Sequence, residues 1–249
     1  MLKFLSIFVL MLPAPQRATF YGQNTGTSAG ACTGQPAWDF QLQSSTVAPG
    51  TVTTWTDTIA ANVVTVTGSP VAGASDPTPN GTRTVVFSGT GSGTLASPIG
   101  GAGAPTVVSV WAVYKINSNT NKNTLTSFGG SSGAPAYFTN GASNAPAGLD
   151  ESQIANVANA TATPTTAWAD TGVTYTVGGT ITFYRAGSTD GSTTSSVAFT
   201  NPIQAVFSNA GGSEPITMTL AELDIKLGNV TGTQATAVHN CMVSLYGAV

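Results

Sequence analysis

Charge is what this sequence has least of. Seven Lys and Arg and ten Asp and Glu amount to 7% of 249 residues, with a net charge of −3, where roughly a quarter of a soluble protein is usually charged. The basic residues Lys3, Arg17, Arg83, Lys115, Lys122, Arg185 and Lys226 are scattered. No field of one sign can steer a polyanion, so nucleic acid is not an expected partner. One histidine, His239, and two cysteines, Cys32 and Cys241, form no metal-ligand spacing and leave little material for a catalytic triad. No metal and no other cofactor is therefore expected. The apolar run from Phe4 to Leu12 is too short to span a bilayer, and no membrane span is expected. Scarcity of charge does not imply disorder here, because 41% of the residues are apolar and the net charge is small; such a chain can bury enough surface to fold.

Thr, Ser, Gly, Ala and Asn fill the space that charge leaves, so the surface must be neutral and rich in hydroxyls. Residues 1–37 read as an apolar N-terminal arm followed by a Gly/Thr/Ser-rich linker. In the arm, Phe4, Leu5, Ile7, Phe8, Val9, Leu10, Met11 and Leu12 leave only Ser6 polar. Two readings stand beside each other: an assembly arm that docks on a neighbouring subunit, and a secretory signal, for which Lys3 and the apolar run speak but the residues after the run offer no good cleavage site. Cys32 and Cys241 are either one disulfide or two buried thiols.

From Trp38 to Val249 the chain reads as one domain. Short stretches rich in Val, Ile, Thr and Phe recur between Gly, Pro, Asn and Ser clusters, the pattern of an all-β antiparallel two-sheet sandwich. Strands are expected at 84–88, 107–116, 174–177, 180–185, 203–208 and 217–227, with a tight hairpin at Gly178-Gly179. Strand 107–116 is apolar on both faces and should be central. In 221–227, Ala221, Leu223, Ile225 and Leu227 alternate with Glu222, Asp224 and Lys226, which predicts one wet face. One helix is expected at the C-terminus: Thr231 and Gln234 make a capping box, Ala235, Val238, Met242 and Leu245 follow at helical spacing, and Gly247 can end it. His239 lies off that stripe, with no nearby carboxylate in sequence, and reads as a solvated helix residue. Val108, Val110, Phe87, Phe183, Phe207 and Leu223 are the expected core.

The order of several segments carries a resemblance. Trp38-Asp39, then 50–57 (GTVTTWTD), then 80–89 (NGTRTVVFSG), 110–115 (VWAVYK) and 125–130 (LTSFGG) resemble successive strands of the concanavalin A-like, laminin-G-type jelly roll. Ala221-Glu222-Leu223-Asp224-Ile225 before a Thr-capped helix and Tyr246-Gly247 is similar to its ending. The resemblance implies a jelly-roll sandwich over 38–249. It also implies a family that includes glycan-binding lectins, adhesion modules, glucanases and domains on phage tail fibres and capsid exteriors.

Glu222-x-Asp224 resembles the start of the retaining-glucanase motif of this fold, in which alternate strand positions aim acids into one cleft. Lys226 stands where the third acid would be, so no catalytic residues are expected. Asp150-Glu151 and Asp170 lie in loop-like sequence but form no calcium-loop pattern. Tyr137 and Trp168 are the candidate stacking platforms for a sugar. The expected function is a non-catalytic structural or decoration protein on a virion exterior, such as a phage capsid or tail appendage, with its own copies and other virion proteins as partners and surface glycans as ligands. The alternatives are a secreted lectin-like module and, more remotely, a glycoside hydrolase.

Overall fold

The computed structural model describes residues 32–117, 123–127, 136–139, 147–151, 154–158, 167–194, 199, 201–208 and 215–247, with only the main chain for 136–139, 147–151 and 154–158. Short β-branched and aromatic segments pair into two sheets, and every pairing among the described residues is antiparallel. The first sheet runs in the order β15 (Ser188–Thr194), β14 (Thr180–Arg185), β13 (Ala169–Thr176), β8 (Val107–Ile116), β17 (Met218–Lys226), β6 (Thr84–Val86), β5 (Val71–Gly73), β2 (Gly50–Thr51). Its ninth strand, β1 (Phe40–Gln43), lies beside the second half of β17. The second sheet runs β12 (Ile154–Ala158), β11 (Ala147–Glu151), β10 (Ala136–Thr139), β9 (Asn123–Ser127), β16 (Ile203–Val206), β7 (Gly93–Ile99), β4 (Val63–Val66), β3 (Thr54–Thr56).

The main core fills the space between the sheets. All six residues expected there, Val108, Val110, Phe87, Phe183, Phe207 and Leu223, are at most 1% exposed. Phe207 joins Trp55 and Phe87, with ring centroids 5.7 and 4.8 Å from its own, and this aromatic cluster ties β3 to the segments after β6 and β16. As expected, β8 is buried on both faces. Its second face packs against the helix α1 (Gly232–Tyr246), where Trp111, Val113, Tyr184 and Ala221 meet Ala235, Val238, Met242 and Tyr246.

Both helix ends are satisfied by sequence-local chemistry. The Thr231 hydroxyl accepts from the Gln234 N–H, and the Gln234 side chain accepts from the Thr231 N–H. Gly247 takes the left-handed conformation at φ 68°. The last carbonyls are also clasped from outside: the Asn80 side chain donates to Ser244, the Thr82 hydroxyl to Leu245, and the Asn80 N–H to Tyr246. A disulfide joins Cys241 in the helix to Cys32, with Cα atoms 4.5 Å apart.

Three expectations need correction. The turn between β13 and β14 falls one residue earlier than Gly178-Gly179: the Gly179 N–H donates to the Thr176 carbonyl, so Val177 and Gly178 occupy the corners, Gly178 at φ 66°. The outer face of β17 is not wet, because Glu222 is 1% and Asp224 0% exposed; the helix that follows folds back over that face. His239 is not a solvated bystander either. It reaches Asp170, 69 residues away in sequence, with Nδ1 3.1 Å from the carboxylate.

Candidate functional site

Two polar assemblies stand out, and they differ in access. The first lies under α1 on the outer face of the first sheet. Antiparallel register puts Gln41, Asp224, Trp111, Gly172 and Tyr184 in one row across β1, β17, β8, β13 and β14, and Gln43, Glu222, Val113 and Asp170 in the next. The Trp111 indole lies over Gly172 and stacks on Tyr184 at 5.5 Å. Its N–H and the His239 ring share the Asp170 carboxylate. Glu222 accepts from the Gln41 and Gln43 amides and from the Tyr246 hydroxyl. Asp224, beside Gln41 and Glu222, makes no hydrogen bond of ordinary geometry among the described residues.

Burial disfavours charge at each of these groups. It raises the Asp170 carboxyl, against the opposing pull of His239 and Trp111. It raises Glu222, and it raises Asp224 well above the usual range, where the neighbouring Glu222 charge adds to the effect. Tyr246 is pushed up strongly by burial and by Glu222, so its hydroxyl stays a donor. A glucanase needs its acids in an open cleft flanking a glycosidic bond. Here the pair is sealed between a sheet and a helix.

The second assembly is open. A groove of about 510 Å³ runs along residues 46–58, between the segment Thr46–Pro49 and strand β3. Both sheets end here, since the chain crosses from edge strand β2 directly to edge strand β3. The Val66 N–H donates to the Thr53 carbonyl and the Asp57 N–H to Asn62. Alternation then turns the main-chain N–H and C=O of Thr54 and Thr56 away from β4, to the open side, where they have no partner among the described residues. By the same logic Thr51 is unpaired beyond β5, because the Val52 N–H bonds Pro70.

The side chains add hydroxyls without charge. Those of Thr51, Thr53, Thr54 and Thr56 have no partner among the described residues, whereas Thr46 and Thr58 are engaged with Gln43 and Gln41. Asp57 is the one acid in the lining. Its carboxylate is 2% exposed as a residue and accepts the main-chain N–H groups of Gln41, Ile59 and Ala60, which makes it a turn-builder. Val47, Ala48, Pro49 and Val52 supply apolar wall. Trp55 also lines the groove, but its ring is turned into the core and its indole N–H has no partner.

The aromatic candidates fall elsewhere. Trp168 is half-buried and packs against the cluster under α1. Tyr137 lies in β10, paired with Leu149 and Thr126, and not in a loop; its side chain is outside the described residues. Asp150 and Glu151 belong to β11 and Asp170 to β13, again strands where loops were expected. The arm Phe4, Leu5, Ile7, Phe8, Val9, Leu10, Met11 and Leu12 lies outside the described residues. The groove was missed in the sequence because 50–57 reads only as a strand of the sandwich, and its run of Thr with a single acid, Asp57, carries no mark of a binding site.

No protein family and no curated protein matches the sequence. Solved structures do match in shape. Domain 4 of AbnA, an extracellular GH43 arabinanase from Geobacillus stearothermophilus solved with arabinotriose, aligns over 82% of this chain and 99% of its own length, with a TM-score of 0.64 at 15% identity. An arabinofuranosidase complexed with arabinofuranosyl-α-1,2-xylobiose gives 0.61 at 13% identity, over 79% of this chain and 51% of the other. The binding domain of botulinum neurotoxin serotype D gives 0.56 at 13% identity, over 83% and 51%. The chain is a two-sheet antiparallel β sandwich with one C-terminal helix, the architecture that these structures share in shape. Identities this low establish the fold alone, and the chain spans about half the length of the last two proteins.

Proposed function

We propose that this chain is a non-catalytic binding module that holds neutral glycans in the threonine-lined groove along β3. The observation that carries the reading is the groove's chemistry: unpaired main-chain donors and acceptors, four free threonine hydroxyls, an apolar wall and no accessible charge. A neutral sugar presents the complementary set of hydroxyls and C–H faces. Sugar-processing enzymes and the binding domain of a toxin among the structural neighbours support it by analogy of fold. The sealing of Glu222 and Asp224 under α1 favours binding over hydrolysis.

The finer reading is a position on a virion exterior, with secretion as the alternative. Its support is the near absence of surface charge, which lets many copies pack side by side without mutual repulsion. No aromatic platform lies open in the groove, so each site should bind weakly and many copies should act together.

The test is a neutral-glycan array followed by ligand-observed NMR on the hits, with the double variant Thr54→Val, Thr56→Val beside the parent. The variant keeps shape and removes two hydroxyls, each worth about 1 kcal/mol in a net hydrogen bond, so binding should weaken roughly tenfold or more. Unchanged binding, or a groove that takes an extended peptide or a second copy and no glycan, would overturn the assignment.

A further inference from the structure

Two carboxyl groups lie under the end of α1 with no counter-charge among the described residues. Glu222 and Asp224 sit at alternate positions of β17 and project to one face, both essentially unexposed. Glu222 is saturated: one oxygen accepts the Gln41 and Gln43 amides and the other the hydroxyl of Tyr246, the last residue of α1. Asp224 is not: its polar neighbours are Gln41 and Glu222, and neither of its oxygens makes a hydrogen bond of ordinary geometry among the described residues.

The charged and titratable groups on the surrounding elements are engaged elsewhere. Lys115 of β8 pairs with Asp76, and Lys226 of β17 donates to the Ala37 carbonyl. His239 of α1 and Asp170 of β13 hold each other. Asp39, before β1, accepts the Leu227 N–H, and Arg83 donates to Ser45. From β1 only the neutral amides of Gln41 and Gln43 face the pair. Two carboxylates this close and this dry do not both ionise at tolerable cost.

We propose that the Glu222–Asp224 pair is a pH-sensitive latch for the C-terminal end of α1: a proton kept by the pair seats the Tyr246 end of the helix on the first sheet, and loss of that proton lifts it. A cation could in principle replace the proton. It would need several oxygen ligands, and Glu222 has already spent both of its oxygens on protein donors. The raised carboxyls fix the sign. A group that holds its proton more tightly when folded lends stability below the ordinary carboxylate range and loses it as pH climbs through the raised value. Acid therefore closes the latch and alkali opens it. The capping box at Thr231 and the disulfide at Cys241 keep the rest of α1 in place, so the opening is confined to the last turn and the Asn80–Thr82 clasp.

The experiment is amide hydrogen exchange on the full oxidised chain from pH 5 to 9, corrected for the intrinsic rate. Above the pair's midpoint, the opening constant of residues 243–247 should rise about tenfold per pH unit, the slope of one coupled proton. In Asp224→Asn that slope should vanish while protection stays high. Equal slopes in parent and variant would overturn the latch, as would a parental slope abolished by millimolar calcium. If Asp224→Asn does not fold, Tyr246→Phe decides: removing the hydroxyl should raise the opening constant already at pH 5, and unchanged protection there would overturn the proposal.

Discussion

A glycine in mid-strand usually weakens a sheet, yet Gly172 in β13 is where Trp111 can lie flat. An added Cβ would stand 2.1 Å from the indole, far inside contact distance. The indole is fully buried, bonded to Asp170 and stacked on Tyr184, and cannot step aside. Gly172→Ala should cost about 1–3 kcal/mol by overpacking, read as a lower denaturant midpoint at unchanged slope; an unchanged midpoint would mean the ring shifts freely. The same neighbourhood marks a limit of reading side chains from sequence. The alternation Glu222, Asp224, Lys226 was correctly seen as the face opposite Leu223 and Ile225. Periodicity names the two faces of a strand but not what covers them, and the cover here is the helix that follows. Asp170 and His239 carry no local signal at all, because only the packing of α1 on β13 brings them together.

At the scale of elements, legibility tracked hydrophobic density. β8 was read to the residue and β14 likewise, because Val, Ile, Phe and Tyr crowd them. α1 was marked by its capping box and apolar stripe. The strands β2 to β5 are short and rich in Thr and Gly, and their pairing depends on partners distant in sequence. The groove lies among them and was illegible for the same reason. β9 shows the converse: Asn123, Thr124, Thr126 and Ser127 are polar, yet all are fully buried, since hydroxyls and amides that find hydrogen bonds can be interior. The disulfide is the one link between α1 and the chain before β1 that is covalent. It spans 209 residues, and closing so long a loop is worth about 5 kcal/mol in the chain-entropy picture. Reduction should lower the melting temperature by roughly 10 °C or more for a domain of this size, measured by calorimetry with and without reductant. A shift of only a degree or two would place the stability of the helix in its packing alone.

For the whole molecule the governing fact is neutrality, and it makes a prediction that separates the proposed glycan site from a generic sticky surface. Charged patches bind through fields that salt screens over about 10 Å at 0.1 M. The groove offers only hydrogen bonds and apolar contact, and its single acid, Asp57, is buried and already saturated. Binding of a neutral oligosaccharide should therefore change less than about twofold between 50 and 500 mM NaCl, because screening has nothing to act on. Individual sites without an exposed aromatic platform should be weak. Copies displayed together should gain on the order of 10² to 10⁴ in avidity, provided their spacing lets several grooves reach one glycan chain. The measurement is surface plasmon resonance on an immobilised neutral polysaccharide, comparing the soluble protein with the same protein coupled densely to nanoparticles, each across the salt series. Salt-sensitive binding would assign the interaction to the scattered lysines and arginines. Salt-insensitive binding with no gain from display would keep the glycan site and remove the reason to place it on a many-copy surface such as a virion.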